Sequence, residues 1–282
     1  MLLGVHCSVS GGLEKAFDEA VTLGIDAMQV FTRNQRQWSA KPVSNEEQAA
    51  FVGAGKKSEV KFSFSHCSYL INLASENEDN RLKSVAALRE EVERCTRLGL
   101  SYCVLHPGAA GSQDFNTAIG RISQGLKTVL DATSNSKVMI LLENTAGQGT
   151  SVGGTFENLL EIRKLVPGNR IGYCFDTCHA FASGYEIRTE KEVAAVFKKF
   201  DNVLGIDNLK VFHLNDSKGD LGTHLDRHDH IGKGKLGLIP FHYIMNQFSS
   251  IPKVIETPKE DDWDKINLDL LRSMVGKKSM KA

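Results

Sequence analysis

Between Leu209 and Gly237 the chain reads LKVFHLNDSKGDLGTHLDRHDHIGKGKLG, an apolar strand that runs straight into a polar loop. His213 stands near the strand's end, Asp216 opens the loop, and Asp226 and His228 lie two apart in D-R-H. Imidazole and carboxylate groups placed like this suit a divalent metal. A spacing of two on an extended segment turns both side chains to one ion. Gly219, Gly222, Gly232, Gly234 and Gly237 let the loop fold tightly. An Asp/His-rich surface loop would carry the same signature, so the rest of the chain decides.

The same residue types recur at the ends of other apolar runs. The third run ends in His66, the fourth in His106, the fifth in Glu143, the sixth in Asp176, the seventh in His213 and the eighth in Glu256. His179 follows Asp176 in D-T-C-H. Any one strand-end histidine can be satisfied by backbone. Six strands in succession delivering such a group at one level is different. Burying that much unpaired charge costs several kcal/mol per ion unless cations compensate it. A polynuclear centre of two or three ions with a bridging carboxylate follows, and nitrogen and oxygen donors favour zinc or manganese over iron–sulfur chemistry. Cys67 and Cys178, each adjacent to a histidine of the set, point away from the metal face if they lie on strands, and Cys174 falls one layer down in the interior. His6 reads as a supporting residue and not a ligand. His224, His230 and His242 read as solvated or structural.

Strand candidates are Leu2–Val9, Ala27–Thr32, Phe62–His66, Tyr102–Pro107, Val138–Asn144, Ile171–Thr177, Leu209–Asn215 and Lys253–Thr257. Helical patterns follow at Leu13–Leu23, Asn45–Lys57, Asn80–Leu98, Asn116–Ala132, Phe156–Leu165, Glu190–Phe200, Pro240–Phe248 and Trp263–Met274. Ser44 with Glu47 behind it reads as a helix start, and Gly24, Gly99 and Gly168 as stops. Eight β-then-α units imply parallel strands and close a (β/α)8 TIM barrel, whose chemistry sits at the C-terminal ends of the strands. A doubly wound open sheet is the alternative, but no GxGxxG turn follows the first strand. Residues 1–282 read as a single domain, with Gly276–Ala282 a disordered tail.

At 282 residues, 41% hydrophobic and 24% charged, the composition is that of an ordinary globular domain. No apolar run nears the roughly 20 residues of a membrane helix, and the N-terminus reads as a strand and not a signal peptide. Six cysteines without a CxxC pair favour a reducing cytosol. With 34 basic and 34 acidic residues, composition argues against a generally basic nucleic-acid coat and leans away from DNA, so any DNA contact must come from local patches. The second loop, Thr32–Trp38, holds two guanidiniums, amides and an indole; the third holds Ser68–Leu73; the seventh adds Lys218, Arg227, Lys233 and Lys235. Arginine and amide groups bind phosphates, and an aromatic or leucine at a rim can wedge between bases. Residues Tyr69–Leu73 could equally cap the barrel.

The segments FTRNQRQW, HCSYLINL, VLHPG, LLENTAGQG, CFDTCHAFASGY, HLNDSKG, HLDRHDHIGKG and IETP, spread in order over nearly the whole chain, resemble the endonuclease IV family of apurinic/apyrimidinic endonucleases. The resemblance implies a barrel with three zinc ions, manganese being possible at one position. It implies hydrolysis of duplex DNA 5′ to an abasic site, giving a 3′-hydroxyl and a 5′-deoxyribose phosphate, and trimming of blocked 3′ ends. Position by position, His66, His106 and Glu143 would hold one ion, and Glu143 would bridge to a second held by Asp176, His213 and Glu256. His179, Asp226 and His228 would hold the third. Arg36, Tyr69 and Leu70 match residues that penetrate the DNA stack. Glu143 is the first candidate to orient the attacking water, Glu256 the second. A monomer is expected, in the cytoplasm and at the nucleoid if bacterial. The alternatives are a sugar-isomerase-like barrel with two ions, and a non-catalytic lesion-binding protein.

Overall fold

The protein is described by a computed structural model over residues 1–276. Its eight parallel strands are Leu3–His6, Ala27–Val30, Phe62–His66, Tyr102–Leu105, Met139–Glu143, Ile171–Asp176, Leu209–His213 and Lys253–Ile255. Each pairs with its neighbours in the chain, and the first pairs with the last, so the sheet closes into a barrel. The expected (β/α)8 architecture is present. The expected tail falls, after Gly276, outside the described residues. No helix among the described residues is long and apolar enough to cross a membrane.

The barrel interior explains how the site is presented. Phe64, Val104, Leu141, Cys174, Val211 and Val254 form a separate apolar cluster, with Phe62, Tyr102 and Met139 packed against it. Each of the six lies two residues before one of His66, His106, Glu143, Asp176, His213 and Glu256. Side chains alternate faces along a strand with a period of two. The register that buries these six therefore lifts the polar six into the next layer toward the C-terminal rim. Burying a side chain such as Phe64 or Leu141 contributes about 1.5–3 kcal/mol, so a one-residue slip in any strand would lose both layers at once. Cys174 lies in the inner layer, as its parity requires.

The helices surround this barrel over a second, larger apolar core. Ser44 caps Asn45–Lys57 in a full capping box: Ser44 Oγ accepts from the Glu47 N–H at 3.1 Å, and the Ser44 N–H donates to Glu47 Oε2 at 2.8 Å. Gly24 and Gly99 end their helices in the left-handed region. Several bounds differ from expectation. Leu13–Lys15 is a 3-10 turn leading into Ala16–Leu23, and Glu190 begins a helix that runs on to Leu204. The fourth and eighth strands stop at Leu105 and Ile255, one residue short of His106 and Glu256: Pro107 follows His106 and cannot donate to a ladder, and the Glu256 N–H goes to Asn215 Oδ1 at 2.8 Å.

Candidate metal centre

Two features absent from the sequence reading position part of the site. Thr177–Ala182 is a short helix, and Asp176 is its N-cap, accepting the His179 N–H at Oδ1 over 2.8 Å. The capping carboxylate thus places His179 three residues on and beside it. The signal was present in D-T-C-H followed by AFA. Cys178 consequently does not lie on a strand, and the strand-parity argument for it fails. Its thiol sits in the helix's first turn, 3.7 Å from the Arg227 carbonyl oxygen.

The second feature is a two-residue antiparallel ladder inside the seventh loop, Asp216–Ser217 against His228–Asp229. It returns the chain so that Asp226 and His228 face the helix. Asp216 is not a member of the cluster. Fully buried, it accepts the N–H groups of Ser217, Gly232 and Leu236 at 2.8, 2.8 and 2.9 Å. At Gly234 a side chain would strike the Ser217 carbonyl and the Asp216 carboxylate, so only glycine fits there. Asp216→Ala should lower stability by about 3 kcal/mol or more, since buried amides lose a charged acceptor. Any ion held by the His179–Asp226–His228 group should be lost selectively. Thermal melts with metal analysis test this; an unchanged melt with full metal content would refute it.

All nine expected positions converge. Their donor atoms fall into His66–His106–Glu143, Glu143–Asp176–His213–Glu256, and His179–Asp226–His228, with the atoms of each group within 4.8 Å of one another. Glu143 is at the centre. Its Oε2 lies 3.2 Å from His66 Nε2 and 3.0 Å from His106 Nε2, its Oε1 2.8 Å from His213 Nδ1. His213 Nδ1 is also 3.2 Å from Glu256 Oε2, and Asp226 Oδ1 lies 3.1 and 3.3 Å from the Nε2 atoms of His179 and His228. Two donors each about 2.0–2.1 Å from a tetrahedral zinc would be roughly 3.4 Å apart.

Three of the histidines are held so that a lone pair can face inward. Their far nitrogens face hydrogen-bond acceptors: His66 Nδ1 the Cys67 carbonyl at 2.7 Å, His179 Nδ1 that of Asn144 at 3.0 Å, His228 Nδ1 that of Glu256 at 3.1 Å. A proton held there leaves the opposite nitrogen free for a cation. His179 Nε2 and His228 Nε2 are buried without a hydrogen-bond partner. Each nonetheless lies within 3.3 Å of the Asp226 carboxylate, so the donors fit a shared cation better than a hydrogen bond. Burial disfavours charge on Glu143, yet His213 and His106 hold its carboxyl well below the usual range. Burial likewise disfavours protonation of His179, but Asp176 and Asp226 lift its pKa well above the ordinary value. Four carboxylates among five imidazoles need positive charge, from protons or from metal.

Supporting residues escaped the sequence reading although they sit beside the nine. Asn144 Nδ2 donates to the Asp176 carbonyl, and its Oδ1 accepts the Asp176 N–H, at 3.0 and 2.8 Å. Asn215 bonds Asp176 Oδ2 at 2.6 Å and accepts the Glu256 N–H at 2.8 Å. His6 is indeed at the edge, 3.8 Å from Glu256. Cys174 Sγ lies within 4.8 Å of the Glu143 and His213 donors, and Cys178 Sγ within 4.8 Å of those of Asp176 and His228. His230 is buried and stacks on Trp263 with ring centres 4.0 Å apart.

The rim divides the expected DNA-facing residues. Tyr69 is 62% exposed, its ring 5.4 Å from that of His66 and 5.8 Å from that of His106, whereas Ile71 and Leu73 are core. Leu70 lies partly buried next to Tyr69, and Arg36 is exposed on a turn where its N–H meets Asn34 Oδ1 at 2.8 Å. Arg33 is not a phosphate ligand. Its buried guanidinium pairs with Glu90 at 2.9 Å and binds the Gln37 and Trp38 carbonyls, bracing the loop that carries Arg36. A cavity of about 370 Å³ opens between Tyr69, His106, His179 and Asp226.

Comparison with known proteins finds relatives in both sequence and fold. Residues 17–274 match the family described as xylose isomerase-like TIM barrel. The chain is 44% identical to "Probable endonuclease 4" of Chloroflexus aggregans, over 96% of this chain and 97% of that one. It superimposes on the crystal structure of endonuclease IV from Thermus thermophilus with a TM-score of 0.87 and 33% identity, covering 97% and 98% of the two chains. A D-tagatose 3-epimerase-like protein superimposes with a TM-score of 0.77 at 21% identity over 97% of each chain, a likeness of fold alone.

Proposed function

The chain belongs to the endonuclease IV family, and from that premise we propose that it is a DNA-repair endonuclease that hydrolyses duplex DNA 5′ to abasic sites. The products are a 3′-hydroxyl and a 5′-deoxyribose phosphate, and the same site trims blocked 3′ ends. The convergence of nine donors into three groups carries the reading. Three zinc ions fit them, with manganese admissible at one position. Bound there, divalent ions would supply a water acidic enough to attack near neutral pH and neutralise charge on the phosphate.

The protein's own part is to place the groups around the phosphorus. Glu143 spans two groups and keeps their spacing; Glu256, at the more open edge, is placed to orient the attacking water. Tyr69 stands over His66 and His106, where it can stack on an exposed base or fill the gap left by a flipped nucleotide. Leu70 and Arg36 complete the DNA-facing rim. The acting species is a monomer in the cytosol, where six buried free thiols stay reduced. The sugar-isomerase alternative shares the fold but leaves His179, Asp226 and His228 without a role. A lesion-binding protein would have no need of an intact set.

Purified metal-replete protein incubated with a duplex carrying one internal abasic site, in EDTA without added magnesium, should give a single cut on the 5′ side with a 3′-hydroxyl. No cut with three ions present would favour the lesion-binding alternative; no cut with two or fewer would favour the isomerase. Tyr69→Ala and Arg36→Ala should weaken binding to abasic duplex, about tenfold or more for the stacking tyrosine, while slowing chemistry on bound DNA much less. Unchanged affinity in both variants, measured by fluorescence anisotropy, would remove them from the interface.

A further inference from the structure

One wall of the middle group is built by an uncharged residue. Gln29, on the second strand, is fully buried and in register with His6 on the first. Its amide meets three functional side chains at once. Nε2 donates to Glu256 Oε1 at 2.5 Å and lies 2.8 Å from His6 Nδ1; Oε1 lies 2.8 Å from His213 Nε2. Chemistry fixes the direction of this amide. A carboxylate only accepts, so the nitrogen must face Glu256 and the oxygen is left for His213. Gln29 Oε1 accepts the proton on His213 Nε2, which leaves Nδ1, 2.8 Å from Glu143 and 3.2 Å from Glu256, as the nitrogen that would face a cation shared with them. One side chain thus selects the tautomer of one donor and the orientation of another, and ties both to the first strand through His6.

We propose that Gln29 is the positioning residue of the Glu143–Asp176–His213–Glu256 group, and that the group's hold on its cation depends on this amide. The inference rests on the metal reading above and extends it to a residue that touches neither metal nor substrate. A purely structural glutamine would affect melting only. A positioning one also changes how one ion of the set is held, because outer partners of a ligating histidine typically alter metal affinity by about 10–100-fold.

The test uses Gln29→Met, which keeps the length and loses both polar ends. Metal content by emission spectroscopy, release to a chromogenic chelator, and the d–d absorption of the cobalt(II)-loaded protein are compared with wild type. The variant should release one ion about tenfold faster or more, show an altered cobalt band, and lose kcat with KM nearly unchanged. Wild-type release rates and an identical cobalt band overturn the proposal. Should the variant not fold, the wild-type protein still decides: a slowly exchanging Nε2–H on His213 by ¹⁵N-edited NMR supports the proposal, and an Nδ1–H tautomer overturns it. Wild-type protein that binds no divalent metal fails the metal reading itself, an outcome separate from a variant that keeps every ion.

Discussion

Glu143→Gln is expected to cause the largest loss of any single substitution in this chain. The carboxylate is fully buried, and its oxygens face His66, His106 and His213 within 3.2 Å, with His179 Nδ1 at 3.4 Å. It belongs to two of the three donor groups. An amide of the same shape keeps one acceptor and turns an NH2 toward imidazole lone pairs that should face a cation. Two groups lose their shared anion together, so metal content should fall by more than one ion. Where metal supplies several kcal/mol of transition-state stabilisation, turnover should drop about 10³–10⁴-fold. The experiment is metal analysis beside single-turnover cleavage of an abasic duplex. A variant with full metal content and turnover within tenfold of wild type would remove Glu143 from the centre.

Glu256→Gln should be nearly as damaging to rate but far gentler on assembly. Glu256 belongs to one group only, and its side chain is 12% exposed where Glu143 is sealed. Its position at the open edge suits orientation of a water beside the scissile phosphate, a role worth about 10²–10⁴-fold in rate. The variant should keep its fold and its affinity for abasic DNA, bind most of its metal, and lose kcat by that factor. Near-normal turnover by the metal-replete variant would end that role for Glu256 and leave Glu143 as the remaining candidate. The two substitutions together separate holding the ions from using them.

What the sequence alone determined was the layer of chemistry. A period of two along six strands, with Phe64 before His66 and Leu141 before Glu143, sets donors above an apolar plug whatever the loops do. Eight alternating units with capped helices left the barrel as the arrangement in which these strand ends meet, so six candidate donors were legible at strand ends, with His179, Asp226 and His228 as candidates in the segments that follow. Local bounds followed local chemistry, as at the Ser44–Glu47 box. What the tertiary structure decided lay where partners come from distant segments. That Arg33 is a brace and Arg36 a free rim group depends on Glu90, on a helix 57 residues away in the chain. Asp216 looks like one more acidic candidate until the loop folds back and gives it three amides. Gln29 carries no charge and no motif, and becomes significant only because closure of the barrel brings His6, His213 and Glu256 to its amide. Periodicity reports which face a side chain takes; only packing reports which groups it meets there, because hydrogen-bond partners are set by the fold in space and not by spacing along the chain.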